Sequence, residues 1–299
     1  MRIISLVPSA TEIVVSLGLQ SNLVGVSHEC DFPKSIIKLP KVTFSNIKKK
    51  KTSSDINENI KEILKKSLSI YEVNAVKLKE LKPDVIITQS QCSYCAVSIN
   101  DVRKCLHKWL SKKPTLIDLK GNNLKQVLQD IKNVGIKVGK KERAQQIIKN
   151  FKNEIRNIKT LLNKHKKEKK VLCVEWLEPF MVSGNWIPDL LKILNSQSVN
   201  SISGEHTVFS NPKDIKVDTI DMIIFMPCGY DINTTFSEIK KNNFEFKKIF
   251  KNKKKYIVDG NRFFNRPGTS IIESLNILSE ILYPEIFKPK FKNKWWIKI

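Results

Sequence analysis

Arg2-Ile-Ile-Ser-Leu-Val-Pro-Ser-Ala-Thr-Glu-Ile-Val-Val-Ser-Leu-Gly18 decides the fold of this chain. The apolar run Ile3 to Val7 reads as a short buried strand, ended by Pro8 and Ser9. A helix follows with a capping-box pattern: Ser9 is placed to accept from the backbone N–H three residues on, and Glu12 to reach back to the N–H of Ser9. Gly18 supplies a left-handed stop. Strand, tight turn and helix in this order leave backbone N–H groups and a hydroxyl at the end of a sheet, where α/β proteins bind ligands.

The same grammar continues outward. Strand-like runs at Leu23–Val26, Val85–Thr88 and Thr115–Leu119 alternate with helical patterns at Ile56–Leu68, Ala75–Leu81 and Val102–Leu110. Further on, strands fit Lys170–Glu175, Met222–Met226 and Tyr256–Asp259, and helices fit Trp186–Asn195, Asn233–Lys241 and Ser270–Leu282. Alternation of this kind predicts mostly parallel sheets. Lys48 to Asp55 reads as a polar loop. The basic tail from Phe287, with Trp295 and Trp296, is expected to wrap one half. Between the halves Ala144, Ile147, Ile148, Phe151, Ile155, Ile158, Leu161 and Leu162 recur every three or four residues, the stripe of one long helix.

Composition excludes some functions. The formal charge is +24 over 299 residues, yet only six of the 53 basic residues are arginine. Base readout and phosphate forks favour arginine, and the lysine runs are scattered, so no nucleic-acid partner is expected. No stretch approaches the roughly 20 apolar residues of a membrane span. The first strand begins two residues after Met1 with no basic, apolar and cleavage regions before it. That predicts a cytoplasmic protein, or a periplasmic one if a leader has been removed. The six cysteines do not form a spaced disulfide framework, which fits the first reading. There is no phosphate-binding Gly-x-x-x-x-Gly-Lys loop, no dinucleotide fingerprint, no nucleophile elbow and no carboxylate pairing for acid–base work. Nothing in the sequence demands catalysis.

The stretches SLVPSATEIVVSLGL and LVGVSHECDFP, with PDVIITQSQCSYCAVS, EWLEPFMVSGNWIPDLL, FMPCGYD and DGNRFFNRPG, span most of the chain. Together they resemble the ligand-binding proteins of ABC importers for cobalamin and iron chelates, and within that group the cobalamin-binding branch. The resemblance implies an α/β fold of two Rossmann-like lobes, 1–139 and 169–299, joined by one long backbone helix over 140–168, with a ligand cleft between the lobes. A long core helix within one domain is the alternative. It further implies a monomeric, non-catalytic protein that binds cobalamin or a related corrinoid for import or salvage, with an ABC importer permease as partner. An iron-chelate or haem binder of the same fold is one rival, and a cytoplasmic redox or metal enzyme using its cysteines is another.

The ligand-facing candidates lie at strand ends: Ser9, Thr11, His28, Glu29 and Gln89 in the first half, and Trp176, Trp186, Tyr230, Asn261, Arg262, Phe263 and Arg266 in the second. A corrin is a large, flat, partly apolar plate, so Trp176, Trp186, Tyr230 and Phe263 offer broad contact at little entropy cost. Arg262 or Arg266 suits a phosphate or carboxylate, and Asn261 suits amides. Arg266 is alternatively a partner for Asp259. Cys30, Cys92 and Cys95 are candidate metal ligands, with Cys92-Ser-Tyr-Cys95 alternatively a redox pair. All three are otherwise packing residues. The His28 imidazole is a further candidate ligand for a cobalamin metal.

Overall fold

The computed structural model describes residues 1–47, 52–66, 70–91, 99–107, 113–165, 167–242 and 244–299. Its contacts divide the chain into two compact units. The first is built mainly from residues 1–121 and 125–148, the second mainly from 149–299.

In the first unit the elements run β1 (Ile3–Ser5), α1 (Pro8–Ser16), β2 (Leu23–Val26), β3 (Thr43–Ser45), α2 (Ser53–Lys65), β4 (Tyr71–Val73), α3 (Ala75–Glu80), β5 (Val85–Gln89), α4 (Ile99–His107), β6 (Thr115–Leu119), α5 (Leu124–Lys137) and α6 (Lys141–Leu162). β2, β1, β5 and β6 form a four-stranded sheet in that order, all parallel. β3 and β4 make a separate antiparallel pair. The chain leaves β1 for β2 on one side and returns to β5 on the other. The carboxyl ends of β1 and β5 are therefore a topological switch point, where open α/β sheets place ligands. Ile4, Leu6 and Ile86 from the sheet pack with Leu78, Val102 and Leu106 from the helices. Each such side chain contributes about 1.5–3 kcal/mol by leaving water.

The opening helix differs from the capping-box expectation. Val7 is the N-cap, in extended conformation, and no side chain caps it. Proline has no N–H to satisfy and its φ suits a first helical residue, so Pro8 opens the helix instead of only ending the strand. Ser9 and Glu12 fall inside the first turns and are buried. Gly18 takes φ +78 as expected of a left-handed stop. Helix α2 starts at Ser53, so the polar stretch expected as loop is partly helical.

The long stripe forms the 22-residue helix α6, through which the division between the units passes. Ala144, Phe151, Ile158 and Leu162 are buried, Ile147, Ile148 and Ile155 half-buried, and Leu161 is exposed.

The second unit continues with β7 (Lys169–Trp176), β8 (Met181–Val182), α7 (Ile187–Ile193), β9 (Ser196–Ser198), β10 (Val208–Phe209), β11 (Met222–Phe225), α8 (Ile232–Lys241), α9 (Glu245–Ile249), β12 (Lys254–Val258), α10 (Ile271–Leu282) and β13 (Trp296–Lys298). Its sheet runs β10-β8-β7-β11-β12-β13, with β9 also on β7. β7, β11 and β12 are parallel, and the switch point falls between β7 and β11. Leu172, Val174, Phe225 and Ile257 from this sheet pack against Phe180, Phe246 and Phe250. The tail ends as β13, antiparallel to β12. Glu280 fastens it by accepting from the Lys290 and Phe291 N–H groups and from Trp296 Nε1. Among the described residues no helix is long and apolar enough to cross a membrane.

Candidate functional site

At the carboxyl end of the first sheet, small hydroxyls do the positioning. Ser5 closes β1 and donates to Val7 O at 3.0 Å. Thr11 donates to Ser5 Oγ at 2.8 Å and approaches Cys30 Sγ at 3.1 Å. Thr11 is wholly buried and Cys30 nearly so. Its hydroxyl, expected as a ligand contact, here ties the β1 turn to the loop after β2. Ser9 is likewise buried, as a first-turn helix residue.

A second hydrogen-bonded chain begins at Ser27, just past β2. Thr43 Oγ1 donates to Ser27 Oγ at 3.0 Å. The same Thr43 oxygen accepts from the His28 N–H at 3.1 Å and faces His28 Nδ1 at 2.8 Å. The Tyr71 ring lies 5.4 Å from the imidazole, and its hydroxyl donates to Glu29 Oε1 at 3.2 Å. Lys41 Nζ holds Cys30 O at 2.9 Å. His28 and Glu29 stay half-exposed. Burial, and then the Lys41 charge, push the His28 imidazole below its ordinary pKa.

Gln89 ends β5 and is buried. The next residue, Ser90, donates to Asp118 Oδ2 at 2.8 Å. Cys92 and Cys95 lie outside the described residues. Among the described residues no group of three or more His, Cys, Asp or Glu side chains is placed to hold a metal ion, and Cys173 and Cys228 are free thiols. Cys30 is buried, with its Sγ 3.1 Å from Thr11 Oγ1.

The carboxyl end of the second sheet is built from rings. Trp176 closes β7 and meets Tyr230 at 5.4 Å between ring centroids, inclined at 56°. Tyr230 is carried by a tight turn after β11, where its N–H donates to Pro227 O at 3.2 Å and Gly229 takes φ +74. A non-glycine residue is disfavoured in that conformation. Asn261 N–H donates to Tyr230 O at 2.9 Å and so binds the turn after β12 to it. That turn, Gly260–Phe264, is a π-helical turn capped by Asp259, which accepts from the Arg262 N–H at 2.8 Å. Burial pushes the Asp259 carboxyl above its ordinary pKa, opposed by the Arg262 N–H and both guanidinium groups. Gly260 is required by space: a Cβ there would overlap the Pro227 and Met226 carbonyl oxygens.

Asn261 and Arg262 are half-exposed, with the Arg262 guanidinium 4.9 Å from the Phe263 ring centroid. Three of the expected ligand contacts lie deeper. Arg266 is 4% exposed and donates to Asn261 Oδ1 at 3.0 Å, which makes it a support for Asn261. Phe263 is buried and meets Trp295 edge-on at 4.8 Å. Trp186 is 3% exposed at the start of α7, so it packs inside and does not present a flat face. Trp176 is the half-exposed ring of the set.

Sequence reasoning missed Thr43, Tyr71 and Lys41, which lie on or beside two three-residue strands too short to show a period. It also missed Glu175, one residue before Trp176. Burial raises its carboxyl pKa, and the Thr207 and Ser183 hydroxyls pull it back.

A model of the family described as "Periplasmic binding protein" matches residues 3–254. An uncharacterized ABC transporter substrate-binding lipoprotein of Bacillus subtilis, YvrC, is 23% identical over 290 residues, covering 96% of this chain and 81% of that relative. Among solved structures, a periplasmic heme-binding protein from Pseudomonas aeruginosa superposes with a TM-score of 0.70 at 16% identity, covering 95% of this chain and 93% of that one. The periplasmic vitamin B12 binding protein BtuF of Vibrio cholerae superposes with a TM-score of 0.66 at 16% identity, covering 95% and 96%. The fold is thus the two-lobe α/β periplasmic binding protein fold. The relatives are substrate-binding proteins and not enzymes. The cytoplasmic expectation is overturned, because the curated relative is a lipoprotein and these structural neighbours are periplasmic.

Proposed function

This chain belongs to the periplasmic binding protein family, and from that premise we propose that it captures a planar metal–tetrapyrrole, a corrinoid first, for delivery to an ABC importer permease. The chain would form lobes at 1–139 and 169–299, joined over 140–168. The observation that carries the reading is the Trp176–Tyr230 pair at the β7/β11 switch point, beside half-exposed Asn261 and Arg262. The half-exposed Trp176 ring, backed by buried Tyr230, gives flat contact to such a ligand, while the amide and guanidinium match the amides and phosphate at a corrinoid's rim.

Haem or an iron chelate is the second reading, and Arg262 favours it, since a guanidinium forks onto carboxylates as readily as onto phosphate. Calorimetric titration of the full chain with a corrinoid, haem and a ferric hydroxamate separates them. Tight binding of the corrinoid supports the first reading. Tight binding of haem alone, or of the hydroxamate alone, moves the assignment to the second.

A further inference from the structure

We infer that the carboxyl-terminal tail supplies part of the ligand site: Lys294, carried on the Trp295 ring, binds an anionic group, phosphate or carboxylate, on the rim of the bound plate. This rests on the tetrapyrrole reading above and adds a residue and a ligand group to it. The direction of the last strand is decisive. β13 runs antiparallel to β12, with Trp296 opposite Val258 and Lys298 opposite Tyr256. The tail therefore enters the sheet at the carboxyl end of β12, next to the turn that carries Asn261 and Arg262. Trp295 O accepts from the Asp259 N–H at 3.1 Å and fixes this entry point. Neighbouring strands lie about 4.8 Å apart, so the entry point is about 10 Å from the end of β11, and the rim substituents of a plate seated there reach it.

The loop before β13 is held in place from within. Glu280 is 4% exposed, and its carboxylate accepts from the Lys290 and Phe291 N–H groups at 2.7 and 3.0 Å and from Trp296 Nε1 at 2.8 Å. Inside the loop, Phe291 O accepts from the Lys294 and Trp295 N–H groups at 3.1 and 2.8 Å, and Asn293 takes φ +62. A buried carboxylate and a left-handed residue thus set where Lys294 and Trp295 stand. Outward from this anchor, charges and rings alternate. The Lys294 ammonium lies 5.2 Å from the Trp295 centroid, Trp295 meets Phe263 edge-on at 4.8 Å, and the Arg262 guanidinium lies 4.9 Å from the Phe263 centroid. The two rings therefore hold two cations at the same end of the sheet, with Lys294 exposed and Arg262 half-exposed. A ring face orients an ammonium without taking up its three hydrogen-bond donors. Phosphate and carboxylate oxygens are the acceptors that such a charged donor bonds most strongly.

The test titrates the full chain calorimetrically with two pairs of probes. One pair is cobalamin and cobinamide, both as dicyano complexes; the other is ferric haem and its dimethyl ester. Cobinamide lacks the nucleotide with its phosphate, and the ester blocks both carboxylates, so each pair compares an anionic rim with a neutral one. The pair that binds identifies the source of the anion. The wild type should bind the anionic member of that pair more tightly. Lys294→Gln should weaken the anionic member about 5-fold and leave the neutral one unchanged, and the preference should shrink at high salt. Lys298→Gln removes the same charge further along β13 and should change neither affinity, which separates a local contact from the general positive field. Equal wild-type affinity for both members, a preference unchanged in Lys294→Gln, or an equal loss in Lys298→Gln overturns the inference and leaves the tetrapyrrole reading standing. Failure of all four probes to bind overturns that reading and the inference with it.

Discussion

The two sheets share one grammar and differ in chemistry at the same place. Each is parallel around a switch point, β1/β5 in the first unit and β7/β11 in the second. The first unit fills its carboxyl end with Ser5, Thr11, Ser27, Thr43 and His28 joined by short hydrogen bonds. The second fills it with Trp176 at the end of β7 and Tyr230 on a turn that Gly229 allows. A hydroxyl lattice fixes direction and suits a polar atom or a metal. Inclined rings fix a plane and tolerate many plates. One topology can therefore carry a directional end in one unit and a planar end in the other, because the switch point sets only where side chains converge.

Breaking the planar half should cost most. Gly260→Ala drives a Cβ into the Pro227 and Met226 carbonyl oxygens, and backbone cannot give as a side-chain tip does. A stability loss of about 3 kcal/mol is expected in denaturant unfolding; an unchanged midpoint would show that the π-helical turn is not fixed by this contact. Trp176→Ala should leave folding nearly intact and weaken tetrapyrrole binding by about 2–4 kcal/mol, as for an interface anchor. Trp186→Phe, a change in a buried ring, should leave affinity within a few-fold.

In the first unit one effect of comparable size depends on pH. Asp130 in α5 accepts from the Lys120 N–H at 2.8 Å. Burial first, then the Asp118 charge, raise its carboxyl from 3.8 to about 6, against the pull of the Lys120 and Gly121 N–H groups. The unfolded chain releases this proton near pH 4, whereas the folded chain holds it to about pH 6. Stability is therefore greatest below this window, falls as pH rises through it, and stays lower above it. The full effect is about 3 kcal/mol. Asp130→Asn should flatten this part of the stability–pH profile, and a profile identical to wild type would remove Asp130 as its cause. Last, Thr11→Val keeps the shape but leaves Ser5 Oγ without its donor. About 1 kcal/mol of stability should be lost, with little change in ligand affinity, which would place Thr11 behind the binding face.

Much of this architecture was legible because it rests on period and punctuation. Leu23–Val26 and Thr115–Leu119 form strands at the expected residues, and the stripe through Phe151 and Ile158 forms one helix. Helix α5 went unread, since Gly135 and three lysines interrupt its pattern. The tail strand, Trp296–Lys298, is too short to carry a signal, and its place depends on the distant Glu280. The site was half legible for a related reason. Residue type and position after a strand pointed to His28, Trp176, Tyr230 and Arg262. Whether a side chain faces outward or inward is a tertiary fact, and it separates half-exposed Trp176 from buried Trp186. Thr43 and Tyr71 became visible only when the β3–β4 pair folded beside the loop after β2.

In the proposed capture of a planar metal–tetrapyrrole, Trp176 is the contact to the face of the ligand. The direct measurement is quenching of tryptophan fluorescence in the full chain during titration with aquacobinamide and with ferric haem, alongside Trp176→Ala. Saturable binding of one equivalent of at least one probe is expected, weakened on the order of 30–1,000-fold in Trp176→Ala. Absence of saturable binding by either probe, or equal affinity in the wild type and Trp176→Ala, would contradict it.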